Sequence, residues 1–151
     1  MFLNVAKFAL LLIIVSCSTK ETRILYNTSD TDVVLYNKGL SSLKEKEFEE
    51  AIDIFNELEL QHPYSEWASR GLMMSGFAHY SANQYDEAII TLSKFIELNP
   101  NHSLIPYAMY LKAYCYFERI PDVKLDQKFS RRAFEEFSEL TNRFPESKYS
   151  K

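Results

Sequence analysis

The sequence predicts an all-α protein, a superhelix of three stacked helix pairs that follows a short N-terminal leader. Three observations predict this class. Turn residues are scarce, with Gly 3 and Pro 5 in 151 residues, whereas a sandwich or barrel of many short strands needs frequent turn signals. Glycine, alanine and proline recur at a fixed interval over most of the chain. A short apolar run near the start of the chain ends at a cysteine.

The composition excludes several classes of protein. Hydrophobic residues make up 46% and charged residues 25% of the chain, which is an ordinary globular mixture. The formal net charge is -4, so nucleic acid is not an expected partner, because phosphate binding needs clustered cations. The two cysteines can form neither a disulfide framework nor a four-cysteine zinc site. Aromatic residues reach 15%, and we expect them between helices and on a binding surface.

The apolar run at residues 8–15 follows Lys7 and predicts a signal peptide. It is too short to cross a bilayer, which needs about 20 helical residues. The run ends on residues 14–17 (IVSC), which resemble the lipobox of bacterial lipoproteins. The resemblance implies cleavage after residues 1–16, a diacylglycerol thioether on the sulfur of Cys17 and an acyl chain on its amino group. The alternative is a plain signal peptide with a chance cysteine.

The residues after the cysteine predict a lipidated tether. Ser18 follows Cys17, and the absence of aspartate there implies, in enteric-type bacteria, sorting to the outer membrane. Three acyl chains anchor firmly, since each buried methylene contributes about 0.8 kcal/mol. Residues 17–31 are mostly polar and predict a flexible connection between the membrane and the folded domain.

A ladder of small residues predicts the repeats. Glycine, alanine and proline follow one another at intervals of twelve residues in two successive units, and a third unit repeats the last two. The positions are Gly39, Ala51 and Pro63, then Gly76, Ala88 and Pro100, then Ala133 and Pro145, with Ala113 preceding them in place of the glycine. The first two units are 37 residues apart, close to the 34 residues of a tetratricopeptide repeat. A generic bundle of amphipathic helices is the alternative.

The pattern predicts repeat 1 over residues 32–65, repeat 2 over 66–103 and repeat 3 over 104–147, with 148–151 opening a further repeat. Each repeat is a pair of antiparallel helices, a first helix A and a second helix B. The small residues let helix A approach helix B closely, and the proline ends helix B. Helices are expected near 32–44, 47–61, 66–81, 85–98, 104–118 and 126–143, with an inserted loop near 118–125 in repeat 3.

Serines after the prolines predict the starts of the following helices. Ser65 lies two residues after its proline, Ser103 three and Ser147 two. A serine hydroxyl at this place accepts a hydrogen bond from a free N–H of the first helical turn. We therefore expect all three serines to act as N-caps.

A stripe of aromatic side chains on the A helices predicts a peptide-binding groove. The A helices line the concave side of stacked helix pairs, and the repeated small residue fixes which positions share that face. An aromatic groove suits an extended or amphipathic apolar peptide, whose terminal carboxylate would pair with the one cation at its edge. The alternative is that much of the stripe is core between helices. The predicted groove residues are Tyr36, Arg70, Met73, Phe77, Tyr80, Tyr107, Tyr110 and Tyr114.

No pattern in the chain predicts catalysis. His62, His79 and His102 lack the spacing of metal ligands, and Cys115 lies on a predicted helix, where a small buried residue is expected. We expect no enzyme, no metal and no cofactor other than the covalent lipid on Cys17.

Four segments carry a family resemblance: residues 61–68 (QHPYSEWA), 85–88 (YDEA), 120–127 (IPDVKLDQ) and 142–149 (NRFPESKY). With these segments, the chain resembles the BamD family of tetratricopeptide lipoproteins in the bacterial β-barrel assembly machinery. The resemblance implies a lipid-anchored scaffold on the periplasmic face of the outer membrane. It also implies two kinds of partner, the other assembly subunits and unfolded outer-membrane proteins, whose C-terminal aromatic signals the N-terminal repeats would bind.

The family has five repeats, and this chain holds three, so we expect it to be the N-terminal portion of a longer protein. Residues 147–149 (SKY) resemble residues 65–67 (SEW), which open an A helix. The alternative function is a periplasmic tetratricopeptide coordinator of cell-envelope or division machinery. The segment at 120–127 favours the assembly scaffold.

Overall fold

The computed structural model describes residues 31–120 and 127–151, and these residues form six α-helices and no strand. The helices are α1 (Asp32–Lys44), α2 (Phe48–Gln61), α3 (Glu66–Ser81), α4 (Tyr85–Leu98), α5 (Ile105–Glu118) and α6 (Lys128–Arg143). The all-α prediction is confirmed, and every helix bound lies within two residues of its predicted place. The leader, Cys17, nearly all of the tether and most of the insert in repeat 3 lie outside the described residues.

The helices stack as a succession of pairs, and each helix packs on the next helix along the chain. The first helices of the pairs also touch one another, α1 against α3 and α3 against α5. Among the described residues, no Cα atom of α2 lies within 8 Å of α4, nor any of α4 within 8 Å of α6. The first helices are therefore the crowded inner layer of the stack and the second helices its outer layer.

Glycines set the distance between the helices of a pair. A Cβ atom added to Gly39 of α1 would lie 2.6 Å from Cε1 of Phe55 on α2. One added to Gly76 of α3 would lie 2.7 Å from Cδ2 of Leu92 on α4. Phe55 and Leu92 each come four residues after the alanine of the ladder. The predicted close approach is confirmed in both repeats, and a large apolar side chain fills the space that each glycine leaves.

The core has two parts, one under the first two helix pairs and one between the second and third. Both are built from the inward faces of consecutive helices, which bury their aliphatic and aromatic side chains together. The first part contains Leu35, Ala51, Ile52, Phe55, Leu58, Ala68 and Ala78. The second contains Leu72, Met73, Ala88, Leu92, Phe95, Ile105, Ala108, Met109, Leu111, Cys115 and Leu140.

The junction that follows α2 uses serine as an N-cap, as predicted. Ser147 accepts the equivalent hydrogen bond after α6, but there it closes a turn, because no helix begins at this point in the described residues. The Oγ atom of Ser65 accepts a hydrogen bond from the N–H of Trp67 at 3.1 Å. The Oγ atom of Ser147 accepts one from the N–H of Tyr149 at 3.2 Å. Ser65 also donates to the carboxylate of Asp32, so the first residue of α1 is held at the start of α3. This hydrogen bond is the main cause that lowers the pKa of Asp32.

The prediction that Ser103 caps the junction between α4 and α5 is wrong. The acceptor there is Nδ1 of His102, which receives the N–H of Leu104 at 3.1 Å. His102 lies two residues after Pro100, which is the position of the capping serine at the other junctions. A ring nitrogen with a free lone pair accepts the hydrogen bond that a serine hydroxyl accepts at the other junctions. The capping residue is therefore set by its position after the proline and not by its residue type.

Gly39→Ala tests the close approach of α1 and α2. Overpacking costs about 1–3 kcal/mol and exceeds the gain of about 1 kcal/mol from replacing a helical glycine by alanine. We expect a lower free energy of unfolding in urea. Ser41→Ala on the same helix, where the side chain is exposed, is the control and should cause no loss. A Gly39→Ala variant as stable as the control would contradict this account.

Lys46→Gly tests strain in the turn between α1 and α2. Lys46 has φ 64° and Asn83, at the same place between α3 and α4, has φ 61°. A left-handed conformation costs a lysine about 1–2 kcal/mol, whereas asparagine tolerates it better. We expect Lys46→Gly to raise the midpoint of thermal unfolding and Asn83→Gly to raise it less. The opposite order would show that the turn is not strained at Lys46.

Candidate functional site

Six tyrosines form a continuous row of contacting rings on α3, α4, α5 and the turn after α6. Successive ring centroids are 6.0, 6.1, 5.8, 5.5 and 5.2 Å apart. All six side chains are half-buried, and five of the six rings, all but that of Tyr114, pack against the core. In order, this tyrosine row is Tyr85, Tyr80, Tyr114, Tyr110, Tyr149 and Tyr107.

Helix geometry explains why α5 supplies three of these rings. Tyr107, Tyr110 and Tyr114 are separated by three and four residues, and such positions share one face of a helix. Tyr80 comes from the last turn of α3, which packs beside α5. The structure therefore brings together four of the predicted groove residues. Phe77, one turn before Tyr80, is half-buried against the same part of the core.

Met73 does not line a groove, and that prediction is wrong. Its side chain is 0% exposed and belongs to the core between the second and third helix pairs. The reason is that α5 packs across α3 at this level, with Met109 in the same cluster. For this position, the alternative of ordinary core between helices is the correct one.

Tyr36 and Arg70 belong to a second aromatic group in the first repeat. The ring of Tyr36 lies 5.0 Å from that of Trp67 and 6.0 Å from that of Phe55. The guanidinium of Arg70 stands 5.0 Å from the centre of the Trp67 ring and forms an ion pair with Glu66 at 2.5 Å. The side chain of Arg70 is 41% exposed, so it reaches solvent while stacked. Any second carboxylate at Arg70 shares it with Glu66.

Sequence reasoning missed three aromatic residues of these surfaces: Trp67, Tyr85 and Tyr149. Trp67 and Tyr149 each stand four residues after a proline of the ladder, and each packs on a tyrosine three residues before the small residue of an A helix. An aromatic residue four positions after the proline in both repeat 1 and repeat 3 was the sequence signal that could have identified them. Tyr85 stands three residues before its ladder alanine, the place that Phe48 occupies in repeat 1.

The carboxylate of Glu118 dominates the electrostatics at one end of the tyrosine row. Its negative charge is the main cause that raises the pKa of Tyr114, which lies four residues before it on α5. Burial is the main cause that raises the pKa of Tyr80 and of Tyr85, and Glu118 adds to both. All three hydroxyls therefore stay protonated at neutral pH and can donate hydrogen bonds.

Arg119, the cation next to Glu118 in the chain, already has partners. Arg119 forms an ion pair with Asp86 at the start of α4, and its guanidinium lies 4.3 Å from the centre of the Phe129 ring. Lys112, further back on α5, pairs with Glu136 at 2.8 Å, with both side chains mostly covered.

The described part of the chain has no exposed thiol and no cluster of metal-ligating side chains. The thiol of Cys115 is 0% exposed, and burial raises its pKa to about 12. Within residues 31–120 and 127–151, no three His, Cys, Asp or Glu side chains come together as a metal site. No helix of the same ranges has both the length and the hydrophobicity to span a bilayer.

Stacked helix pairs with an inner layer of first helices, an outer layer of second helices and capped proline junctions define a helical-repeat protein of the tetratricopeptide type. Sequence comparison agrees with this class. The YfiO family, described as an outer membrane lipoprotein, matches residues 28–151. The chain belongs to this family.

Several curated relatives carry the name "Outer membrane protein assembly factor BamD". The protein from Caulobacter vibrioides is 41% identical over 131 residues, an alignment that covers 87% of this chain and 43% of the relative. The protein from Rickettsia prowazekii is 35% identical over 116 residues, covering 77% and 46%. The protein from Neisseria meningitidis serogroup B is 29% identical over 148 residues, covering 89% and 55%. This chain thus spans about half the length of the relatives that it matches.

Glu118→Gln tests the electrostatics of the tyrosine row. Without the neighbouring negative charge, the pKa of Tyr114 falls towards its ordinary value, which an absorbance titration of the phenolate measures. Because the raised pKa values belong to the folded state, the unfolded chain loses these protons first, near pH 10. Stability therefore falls as the pH rises above about 10, and less steeply in the variant. Glu97→Gln, exposed on α4, should leave the titration unchanged.

Proposed function

We propose that the chain acts as a lipid-anchored scaffold of outer-membrane β-barrel assembly, with the tyrosine row as a binding surface for targeting peptides of unfolded outer-membrane proteins. Membership of an outer membrane lipoprotein family supports the anchor and the compartment. The name "Outer membrane protein assembly factor" of the relatives supports the process. The single observation that carries the peptide surface is the unbroken contact of six half-buried tyrosine rings.

The tyrosine row suits an apolar peptide with aromatic side chains. Half-buried rings offer an apolar face to a ligand without exposing a large hydrophobic patch. Burying one more aromatic side chain against them contributes about 1.5–3 kcal/mol. The tyrosine hydroxyls add hydrogen-bond donors for the carbonyls of an extended chain, so the surface combines apolar contact with backbone recognition.

We infer that Cys17 holds the domain to the periplasmic face of the outer membrane through its lipid. Residues 17–31 would bridge from the membrane to α1, and Asp32 fixes where that bridge meets the fold, because it is hydrogen-bonded to Ser65 at the start of α3. Other subunits of the assembly machinery are the proposed partners on the remaining surface. In this proposal the chain works by binding and carries no cofactor other than the lipid.

Peptide titration tests the binding surface. Fluorescent peptides that end in an aromatic residue are titrated against the full chain, purified in mild detergent. We expect Tyr80→Ala and Tyr110→Ala each to weaken binding about tenfold, since each removes about 1.4 kcal/mol or more of aromatic contact. Phe134→Ala, an exposed aromatic residue on α6, is the matched control. Equal affinities for all four proteins would remove the tyrosine row from this role.

Single substitutions of the two cysteines test the anchor. Cells that produce Cys17→Ser should release the protein from the membrane fraction and fail to label it with radioactive palmitate. Cys115→Ser keeps the proposed anchor and should remain membrane-bound and labelled, since that thiol lies in the core. Labelling of Cys17→Ser would contradict lipidation at this residue.

A further inference from the structure

We propose that the Glu118 end of the tyrosine row is a cation site, which receives a Lys or Arg side chain of the bound peptide. The site consists of the rings of Tyr80, Tyr85 and Tyr114 and the carboxylate of Glu118. This inference rests on the proposed function, because it names a further feature of the peptide that the row binds.

The rings offer faces in different directions around one point. The Tyr80 ring centroid lies 6.0 Å from that of Tyr85 and 6.1 Å from that of Tyr114, with interplanar angles of 52° and 72°. A cation within about 6 Å of a ring centroid is attracted by the negative face of the ring. The three rings are tilted against one another and half-buried, so a cation at this end of the row can contact a ring face that is open to solvent.

Glu118 supplies the full negative charge of the site. It lies four residues after Tyr114 on α5, one helical turn away on the same face. Its charge raises the pKa of Tyr114 most and adds to the raised pKa of Tyr85 and of Tyr80, the two rings next to Tyr114 in the row. A cation bound there would gain both ring contact and a charge-assisted hydrogen bond.

Among the residues that the structure describes, no ion pair neutralises the charge of Glu118. Over the two described ranges, the ion pairs of nearby cations go elsewhere, Arg119 to Asp86 and Lys112 to Glu136. His79, on the adjacent face of α3, shares its Nδ1 with the side chain of Gln84 at 2.7 Å. An uncompensated carboxylate beside aromatic faces is the chemistry that recognises an alkylammonium or a guanidinium.

The site also gives the bound peptide a direction. Arg70 stands ten residues before Tyr80 on α3, which is about 15 Å at 1.5 Å per residue. An extended chain covers that distance in about four to five residues. With its terminal carboxylate at Arg70, a peptide that follows α3 places its fourth or fifth residue from the end at the level of Tyr80, at the Glu118 end of the row. We therefore expect a basic residue at that place to strengthen binding.

Matched peptides test this inference on the full chain in mild detergent. Each peptide ends in phenylalanine, and the fifth residue from the end, counting that phenylalanine as the first, is either lysine or glutamine. We expect the wild-type chain to bind the lysine peptide about fivefold to thirtyfold more tightly, the range for about 1–2 kcal/mol of cation contact. The preference should shrink as salt rises. In Glu118→Gln the ratio of the two affinities should fall to nearly one.

Two further proteins complete the test. Tyr114→Phe keeps the ring but not the hydroxyl, so it should retain most of the preference for lysine. Glu97→Gln, a charge removed on α4, should retain it all. Equal binding of both peptides by the wild-type chain, or an unchanged preference in Glu118→Gln, would overturn the cation site while the peptide surface stands. Failure of every peptide to bind would overturn both.

Discussion

The close contact between a glycine and a large apolar side chain in the first two helix pairs is the constraint on which the rest of the structure depends. Phe55 occupies the space over Gly39, and Leu92 occupies the space over Gly76, at distances that a β-carbon would not allow. Because the crossing distance is fixed in this way, each second helix lies in a defined place behind its partner. Each proline then ends that helix at the same level of the stack. The A helices are brought into contact with one another as a result, and the inner layer is formed.

The aromatic surface follows from that inner layer. Rings at positions three and four apart on α5 face the end of α3 only because α3 and α5 are neighbours in the stack. The same packing divides the stripe of A-helix residues into two kinds. Tyr80, Tyr110 and Tyr114 lie where ring edges still reach solvent, whereas Met73, one level deeper, is closed over by α5. One periodic pattern thus provides both core and surface, and the difference lies in how far the neighbouring helix extends.

The sequence was sufficient for the fold because the signals for the fold are local and repeated. Helix periodicity, the ladder of small residues and the helix-ending prolines set all six helix positions. The site could be predicted only in part, since it depends on distances between helices that no local pattern specifies. Nothing in the residues around Met73 distinguishes it from Phe77, yet one is buried and the other reaches the surface. The cap at His102 was missed for a different reason, because a histidine acceptor has no preference strong enough to be read from residue type.

The hydrogen bond between Asp32 and Ser65 joins the first residue of α1 to the first turn of the next helix pair. In mechanical terms, a pull on the chain before Asp32 is carried into two repeats at once rather than into the end of a single helix. The first helix of a stack is the element most prone to fray, since it has a neighbour on one side only. The charge of Asp32 strengthens this link, because the hydrogen bond that lowers its pKa keeps the carboxylate ionised in mildly acidic surroundings. The point at which the chain enters the domain is therefore attached to two repeats.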